Sequence, residues 1–347
     1  MKKYTIKDIA ELAGVSKGTV DRVIHKRGKV SPAALEKVTK LLEEIDYQPN
    51  LIARSLKNTK SYHICVIQPD PKIDPYWQPC TNGVNDAINE YNSFGITIDS
   101  YFFDHTDTHS FLEVNKTVLK QSPDAVLITP VFHKESIEVI KIYNENNIIV
   151  STINDPLELN GITNYVGQDL TQSGRIAARL MEMIVPKNRT ILIIHLDEVF
   201  NNSIHMQLKE KGFKNYLERI PNSNYNLKTC SLQQTDLDQK LHDLLSKPND
   251  ISGIFVTTSK VYSVAEIVED FPDLDIKIVG YDLLDDNIKY LKNNAIDFLI
   301  NQNPKHQAYL CITQLAEYFL FDKKIPRQKL LPIDIINSEN FDGYTHN

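Results

Sequence analysis

Two rhythms of apolar positions divide this chain. Between Thr5 and Ile45 the apolar residues return every three or four positions: Ile6, Ile9, Ala10 and Ala13, then Val20, Val23 and Ile24, then Leu35, Val38, Leu41, Leu42 and Ile45. That spacing predicts three short amphipathic helices with a shared core. Thr5, with Asp8 at N3, makes a capping box for the first, Gly14 stops it, Ser16 caps the second, and Ser31-Pro32 starts the third. Helix, glycine turn and helix is an arrangement that lets a second helix enter the DNA major groove.

After Tyr62 short apolar runs alternate with amphipathic stretches. Candidate strands cover 63–68, 95–102, 125–129, 148–152, 165–166, 190–194, 227–230, 253–257 and 277–279; candidate helices cover 83–91, 110–120, 136–144, 173–184, 203–218, 236–245 and 259–269. This alternation predicts an α/β body of parallel sheets covered on both faces. The strands are too many for one such sheet and the series restarts near Thr190, so two similar Rossmann-like lobes are expected. Ligands of open α/β sheets sit beyond the carboxyl ends of the strands. Here those ends carry the segment from Asp70 to Trp77, then Asp104, Thr129, Asn154-Asp155, Gln168-Asp169, His195 to Glu198, Thr258-Ser259 and Tyr281-Asp282. Singly each suits a cap or turn. Together they make two polar rims with aromatic faces, carboxylates and amides, a composition suited to a polyhydroxylated ligand.

Charge sharpens the division. The first sixty residues hold 13 Lys/Arg against 7 Asp/Glu, and the remaining 287 hold 25 against 38. A basic head meets a polyanion through its fixed charges; an acidic body repels phosphate and needs another role. On the second helix Lys17, Gly18, Asp21 and Arg22 face outward, followed by His25, Lys26, Arg27 and Lys29. Arg22 can pair with guanine O6 and N7, Asp21 can accept from cytosine N4 or orient Arg22, and Lys26, Arg27 and Lys29 suit phosphate. The 347 residues favour two or three domains, and no segment reaches the roughly 18 apolar residues of a membrane span. The start MKKYTIKDIAELAGV has no apolar secretory core, so a cytoplasmic protein without a membrane partner is expected. Cys65, Cys80, Cys230 and Cys311 are scattered, and His105, His109, His133, His195 and His205 form no H-E-x-x-H; no metal, cofactor or enzymatic activity is expected.

The run Thr5-Ile6-Lys7-Asp8-Ile9-Ala10, with Ala13-Gly14-Val15-Ser16, Thr19-Val20, Arg22-Val23, Val30-Ser31, Tyr47, Pro49-Asn50 and Ala53-Arg54, resembles the DNA-binding head of the lactose- and galactose-repressor family of bacterial transcription regulators. Two positions depart from the family pattern: Asp21 stands for its serine and His25 for its asparagine. The resemblance implies base-reading positions at Lys17, Gly18 and Arg22, further DNA contacts from Thr5, Ser16, Thr19, Asn50, Ala53, Arg54 and Lys57, and a hinge helix over 51–57 that wedges Leu56 into the minor groove. One or two turns are too short to be stable alone, so that helix is expected to order on DNA.

The remainder is similar to the family's effector body and to periplasmic sugar receptors. Pro75-Tyr76-Trp77 matches a segment that places aromatics around a sugar, Asp282 matches a binding aspartate and Gln302 a binding glutamine. Asn154-Asp155 stands where an Asp-Arg pair is usual, Gln207 falls near a binding arginine, and Thr258 falls at a binding asparagine. With Asp104, Asp169 and His195 these form the candidate ligand set. The family fold implies a head over 1–48, a hinge over 49–60 and a body over 61–347. Three crossings near 164–168, 283–289 and 321–324 would assign about 61–164 and 287–321 to the first lobe, and 165–286 and 322–347 to the second. The implied partners are double-stranded operator DNA, a second copy of the chain in a homodimer and a monosaccharide-like effector, with sugar phosphates disfavoured for want of a Lys/Arg cluster at the rims. A DNA-binding dimer whose body no longer senses a ligand, and a sugar-binding receptor, are the alternatives.

Overall fold

The computed structural model describes residues 4–24, 28–45, 60–157, 161–197, 203–221, 224–246 and 250–345. The chain divides into two compact units, Met1–Asn58 and Thr59–Asn347. The candidate hinge contacts Asn50, Ala53, Arg54, Leu56 and Lys57 lie outside the described residues, as do His25, Lys26 and Arg27.

In the first unit the helices are Ile6–Ala13, Lys17–Ile24 and Pro32–Glu44. Thr5 Oγ1 accepts from Asp8 N at 3.3 Å while Thr5 N donates to the Asp8 carboxylate at 2.8 Å, closing the capping box. Gly14 ends the helix at φ +65°, where a side chain would be strained. Ser16 Oγ accepts from Thr19 N at 3.1 Å and starts the next helix. Ile9, Ala10, Val20, Val23 and Val38 form the buried centre. Leu35, expected inside, is 47% exposed; Val38 and Leu41 fill the third helix's inner face, and Leu35 lies outside it.

The second unit contains two six-stranded sheets. The first joins β1 (Tyr62–Pro69), β2 (Ile96–Phe103), β3 (Ala125–Ile128), β4 (Ile149–Ile153), β5 (Asn164–Gly167) and β11 (Gln328–Leu330) in the order β11-β5-β4-β3-β1-β2, all parallel. The second joins β6 (Thr190–Leu196), β7 (Asn226–Leu232), β8 (Ile251–Val256), β9 (Lys277–Tyr281), β10 (Phe298–Asn301) and β12 (Asp334–Ile336) in the order β12-β10-β9-β8-β6-β7, with only the β10–β12 pair antiparallel. Each sheet has an apolar core on both faces, which is why Ile64-Cys65-Val66-Ile67 and Ile191-Leu192-Ile193-Ile194 are continuously apolar.

The lobe boundaries differ from those expected. Tyr290, Leu291, Ile296 and Leu299 belong to the second sheet's core, so the helix Asp285–Lys292 and β10 stay in the second lobe. The chain returns to the first lobe only at the helix Pro304–Phe321, whose Ala308, Ile312, Leu315 and Leu320 pack on the first sheet. It leaves again between β11 and β12 rather than near 321–324. The second crossing thus falls at Gln302-Asn303, where Asn303 at φ +53° caps the helix and Pro304 opens it.

Gln168 connects the three crossings. Its side-chain amide, 2% exposed, donates to Asn301 O at 3.0 Å and Pro332 O at 2.7 Å, one carbonyl on each of the other two.

Candidate functional site

On the head, Ser16, Lys17, Gly18, Asp21 and Arg22 are exposed along one side of the helix Lys17–Ile24, with Thr19 half-buried, while Val20 and Val23 anchor the opposite side. Thr5 and Lys29 are also exposed. This leaves the guanidinium of Arg22 and the ammonium of Lys17 available to a base edge or a phosphate. Gly28 sits at φ +69°, and a Cβ added there would lie 3.7 Å from Arg22 Cδ, so the turn runs close beneath the arginine stem.

Between the two lobes lies a cleft of ≈ 560 Å³, its open mouth included. The first lobe contributes Asp74, Tyr76, Trp77, His105, Asn154 and Asp155; the second contributes Asp197, His205, Lys209, Thr258, Lys260 and Asp282; Gln302 enters from the crossing. Three of these side chains are placed by one device. Asn154, Asp197 and Asp282 immediately follow β4, β6 and β9 and have φ of +68°, +66° and +68°. Asn and Asp adopt this left-handed turn more readily than other residues with side chains. It ends the strand at once and keeps a polar group at the sheet's carboxyl edge.

Asp74 accepts from Tyr76 N at 3.1 Å and caps the short turn Pro75–Trp77, which presents both aromatics. The Tyr76 hydroxyl donates to Asn154 Oδ1 at 2.8 Å. Gln307 fixes the far side by accepting from Asn154 N at 2.9 Å and donating to Gln302 O at 2.8 Å. Asp282 accepts from Gln302 N at 3.0 Å and Gln302 Nε2 at 2.7 Å. Burial pushes the Asp282 carboxyl up to about 6, although the Lys209 ammonium and the two Gln302 hydrogen bonds work against the rise.

Seven of the eleven expected ligand residues line the cleft: Tyr76, Trp77, Asn154, Asp155, Thr258, Asp282 and Gln302. Four do not. Asp104 turns its carboxylate to Thr106, accepting from N at 2.8 Å and Oγ1 at 2.7 Å. Asp169 caps the helix Leu170–Ile184. Gln207 is half-buried on the helix Ile204–Glu218 and outside the lining. His195 is buried inside the second lobe, 2.7 Å from Thr257 Oγ1 and 3.0 Å from Glu210 Oε2. Burial opposes the Glu210 charge, but hydrogen bonds from His195, Lys214 and Thr229 hold its carboxyl down at about 2. That trio is a buried support of the sheet rather than part of the cleft.

The sequence reading missed Lys209 and Lys260. Lys209 is only 1% exposed, donates to Thr257 O at 2.9 Å, and lies 3.8 Å from the centre of the Tyr281 ring. Its setting, Lys209-Glu210-Lys211, reads as a solvated charge run. Helix packing decides otherwise: a Cβ on Gly174 would overlap the Lys209 carbonyl and one on Gly212 the Thr171 carbonyl, so the two helices interlock through glycines. Lys260 pairs with Asp197. Burial lowers the Lys260 ammonium, but the hydrogen bond to Asp197 and the charges of Asp197 and Asp74 outweigh it and raise the group above the usual lysine range. The expectation of rims without lysines is thereby corrected. Among the described residues no group of three or more His, Cys, Asp or Glu could hold a metal ion, and no helix is long and apolar enough to cross a membrane.

Comparison with known proteins agrees with both parts. Residues 5–50 match the model of bacterial regulatory proteins of the lacI family, and residues 64–323 match the periplasmic binding protein domain. A ribose operon repressor of Lactococcus lactis is 25% identical over 345 residues, covering 96% of this chain and 97% of its own length. A solved structure assigned to the LacI transcriptional regulators, from Bacteroides fragilis, superposes with a TM-score of 0.76 at 27% identity, covering 83% of this chain and all of that one. A glucose-galactose binding protein of Geobacillus stearothermophilus shares the body's fold, with a TM-score of 0.71 at 22% identity over 81% of this chain and 99% of its own. The chain belongs to the lacI family of bacterial regulatory proteins: it is a helix-turn-helix, DNA-binding transcription regulator whose body is a periplasmic-binding-protein domain.

Proposed function

We propose that this regulator is a homodimeric repressor whose paired heads read an approximate palindrome, with the hinge segments over 49–60 meeting in the central minor groove, and that a monosaccharide or close derivative in the cleft releases it from DNA. The observation that carries the effector half is the meeting of Tyr76 and Trp77 with Asn154, Asp282 and Gln302 in one cleft between lobes joined by three crossings. Aromatic faces accept the C–H faces of a sugar ring, and the amide and carboxylate groups take its hydroxyls. The resemblance to a ribose operon repressor along nearly the whole chain supports the same reading.

The coupling is thermodynamic. A ligand that touches both lobes favours the closed arrangement, and it changes operator affinity by the ratio of its affinities for the two body conformations. The head divides its work: Arg22, Lys17 and Asp21 choose sequence, while Lys29 and its basic neighbours add affinity common to all sequences.

A thermal-shift screen of full-length protein with neutral, aminated and acidic sugars tests this, followed by operator binding with each hit present and absent. A melting shift accompanied by weaker operator binding is the expected result. A shift accompanied by tighter operator binding would make the effector a co-repressor, and no shift with any class would leave a body that only dimerises.

A further inference from the structure

Between β2 and the helix Thr108–Lys120 a short loop holds itself in place. Asp104 Oδ1 accepts from Thr106 N at 2.8 Å and from Thr106 Oγ1 at 2.7 Å, Asp104 N donates to Ser110 Oγ at 3.1 Å, and Asp107 Oδ1 accepts from His109 N at 2.8 Å to cap the helix. Both aspartates are engaged locally, so the residue this loop presents to the cleft is His105. Its side chain is 10% exposed, and its Nε2 lies 4.0 Å from the Asp74 carboxylate. Its buried Nδ1 has no hydrogen-bond partner among the described residues.

The opposite lobe presents a counterpart. Thr258 lines the cleft and is 6% exposed, and its Oγ1 is likewise without a hydrogen-bond partner among the described residues. The chain is fixed on both sides of it: Lys209 Nζ donates to Thr257 O at 2.9 Å, and Asn287 Nδ2 donates to Ser259 O at 2.7 Å. A buried hydroxyl or ring nitrogen left unmatched carries a desolvation cost. Two such groups, one from each lobe and both lining one cleft, point to a ligand that matches both.

We propose that His105 is an effector-binding residue: its Nδ1 accepts from one hydroxyl of a sugar while Thr258 Oγ1 meets another, so that the ligand bridges the two lobes. This rests on the reading of the cleft as the effector site. The Asp74 carboxylate favours the imidazole proton on Nε2, which leaves Nδ1 as the acceptor, and a ligand hydroxyl supplies the proton it needs. Because the loop is fixed by its own hydrogen bonds, little ordering is required of His105 on binding. The unmatched pair costs the free protein stability and contributes affinity once the cleft is filled, opposite effects that separate a binding role from a structural one.

Calorimetric titration of the full-length protein with D-ribose, D-arabinose, D-glucose and D-galactose tests the assignment, beside thermal melting without sugar. His105→Phe and Thr258→Val, which nearly keep the shape of each side chain and remove its polar atoms, are each expected to weaken binding of the sugar that wild type takes by about five- to tenfold. Thr258→Val is expected to melt no lower than wild type when no sugar is present. His105→Asn, whose amide oxygen stands near the position of Nδ1, is expected to recover part of the affinity lost in His105→Phe. Wild-type affinity in either His105→Phe or Thr258→Val overturns the proposal and leaves the sugar reading of the cleft standing, and so does His105→Asn binding no better than His105→Phe. Lower melting of Thr258→Val overturns it as well, since the hydroxyl would then support the fold. Should His105→Phe fail to melt cooperatively, His105→Ala takes its place under the same criteria. Silence from all four sugars, by wild type that melts cooperatively, overturns the sugar reading and this inference with it.

Discussion

Asp282 is the residue on which the cleft's chemistry turns, because its carboxyl is fully enclosed yet has to act as an acceptor. A carboxyl at about 6 in the folded chain, against about 3.9 unfolded, keeps its proton longer when folded. Its contribution to stability is therefore full below pH about 4 and is lost as pH rises through about 6, amounting to about 3 kcal/mol. Urea denaturation of wild type and Asp282→Asn from pH 4 to 7 checks this: the stability difference between them should change by that order and with that sign. Effector affinity should run the other way, weakening about tenfold as pH falls from 7 to 5 and the acceptor is protonated. Because the Lys209 ammonium opposes the rise of the Asp282 carboxyl, the two should be coupled: in the same denaturation experiment the double replacement Lys209→Met with Asp282→Asn should differ from the sum of the single replacements. On the head, Arg22→Ala should lose about 1–3 kcal/mol of discrimination between cognate and scrambled duplex, whereas Lys29→Ala should weaken both alike and reduce the salt slope by about one. Tyr76, Asp282 and Gln302 were legible in the sequence because they follow apolar strands and fit a known pattern. Lys209 was not, since only the packing of its helix tells a buried ammonium from a solvated one.

Elements set where those residues stand. Gly212 lets the helix Ile204–Glu218 approach the helix Leu170–Ile184 closely enough to bury Lys209, so Gly212→Ala should destabilise the body by about 1–3 kcal/mol and weaken effector binding, both readable in one melting experiment with and without ligand. Gln168 ties the three crossings by two hydrogen bonds. Gln168→Leu leaves two carbonyls without that donor at about 1–3 kcal/mol each, and should change effector affinity through the lobe angle although the side chain is outside the cleft lining. The alternating rhythm gave nine strands in place because most are buried on both faces. It missed β10, β11 and β12 for different physical reasons. β11 is exposed at all three positions and β12 is a three-residue edge strand, so neither has an apolar run to read. β10 follows the polar helix Asp285–Lys292, and with both unassigned the second crossing was placed too early.

At the scale of the whole molecule the split of charge, basic over the first sixty residues and acidic beyond, anticipated two partners of different chemistry. The head's helix-turn-helix was legible from its caps, its glycine stop and its outward basic residues, and its family from the resemblance carried by the run Thr5-Ile6-Lys7-Asp8-Ile9-Ala10 and the matching residues after it. The cleft's lysines were not, because the lining is brought together from side chains that are distant in sequence: Asp74 and Asp155 from one lobe, Lys209 and Lys260 from the other. The central claim is that occupancy of this cleft decides how tightly the head holds a preferred sequence. Its most direct test is fluorescence anisotropy with a duplex selected from random sequence by the protein itself, read against a scrambled duplex, with and without a sugar found to bind, for wild type and Asp282→Asn. The account predicts that both proteins prefer the selected duplex and that the sugar weakens binding by wild type alone. Equal binding of selected and scrambled duplex at moderate salt, or an undiminished sugar response in Asp282→Asn, would contradict it.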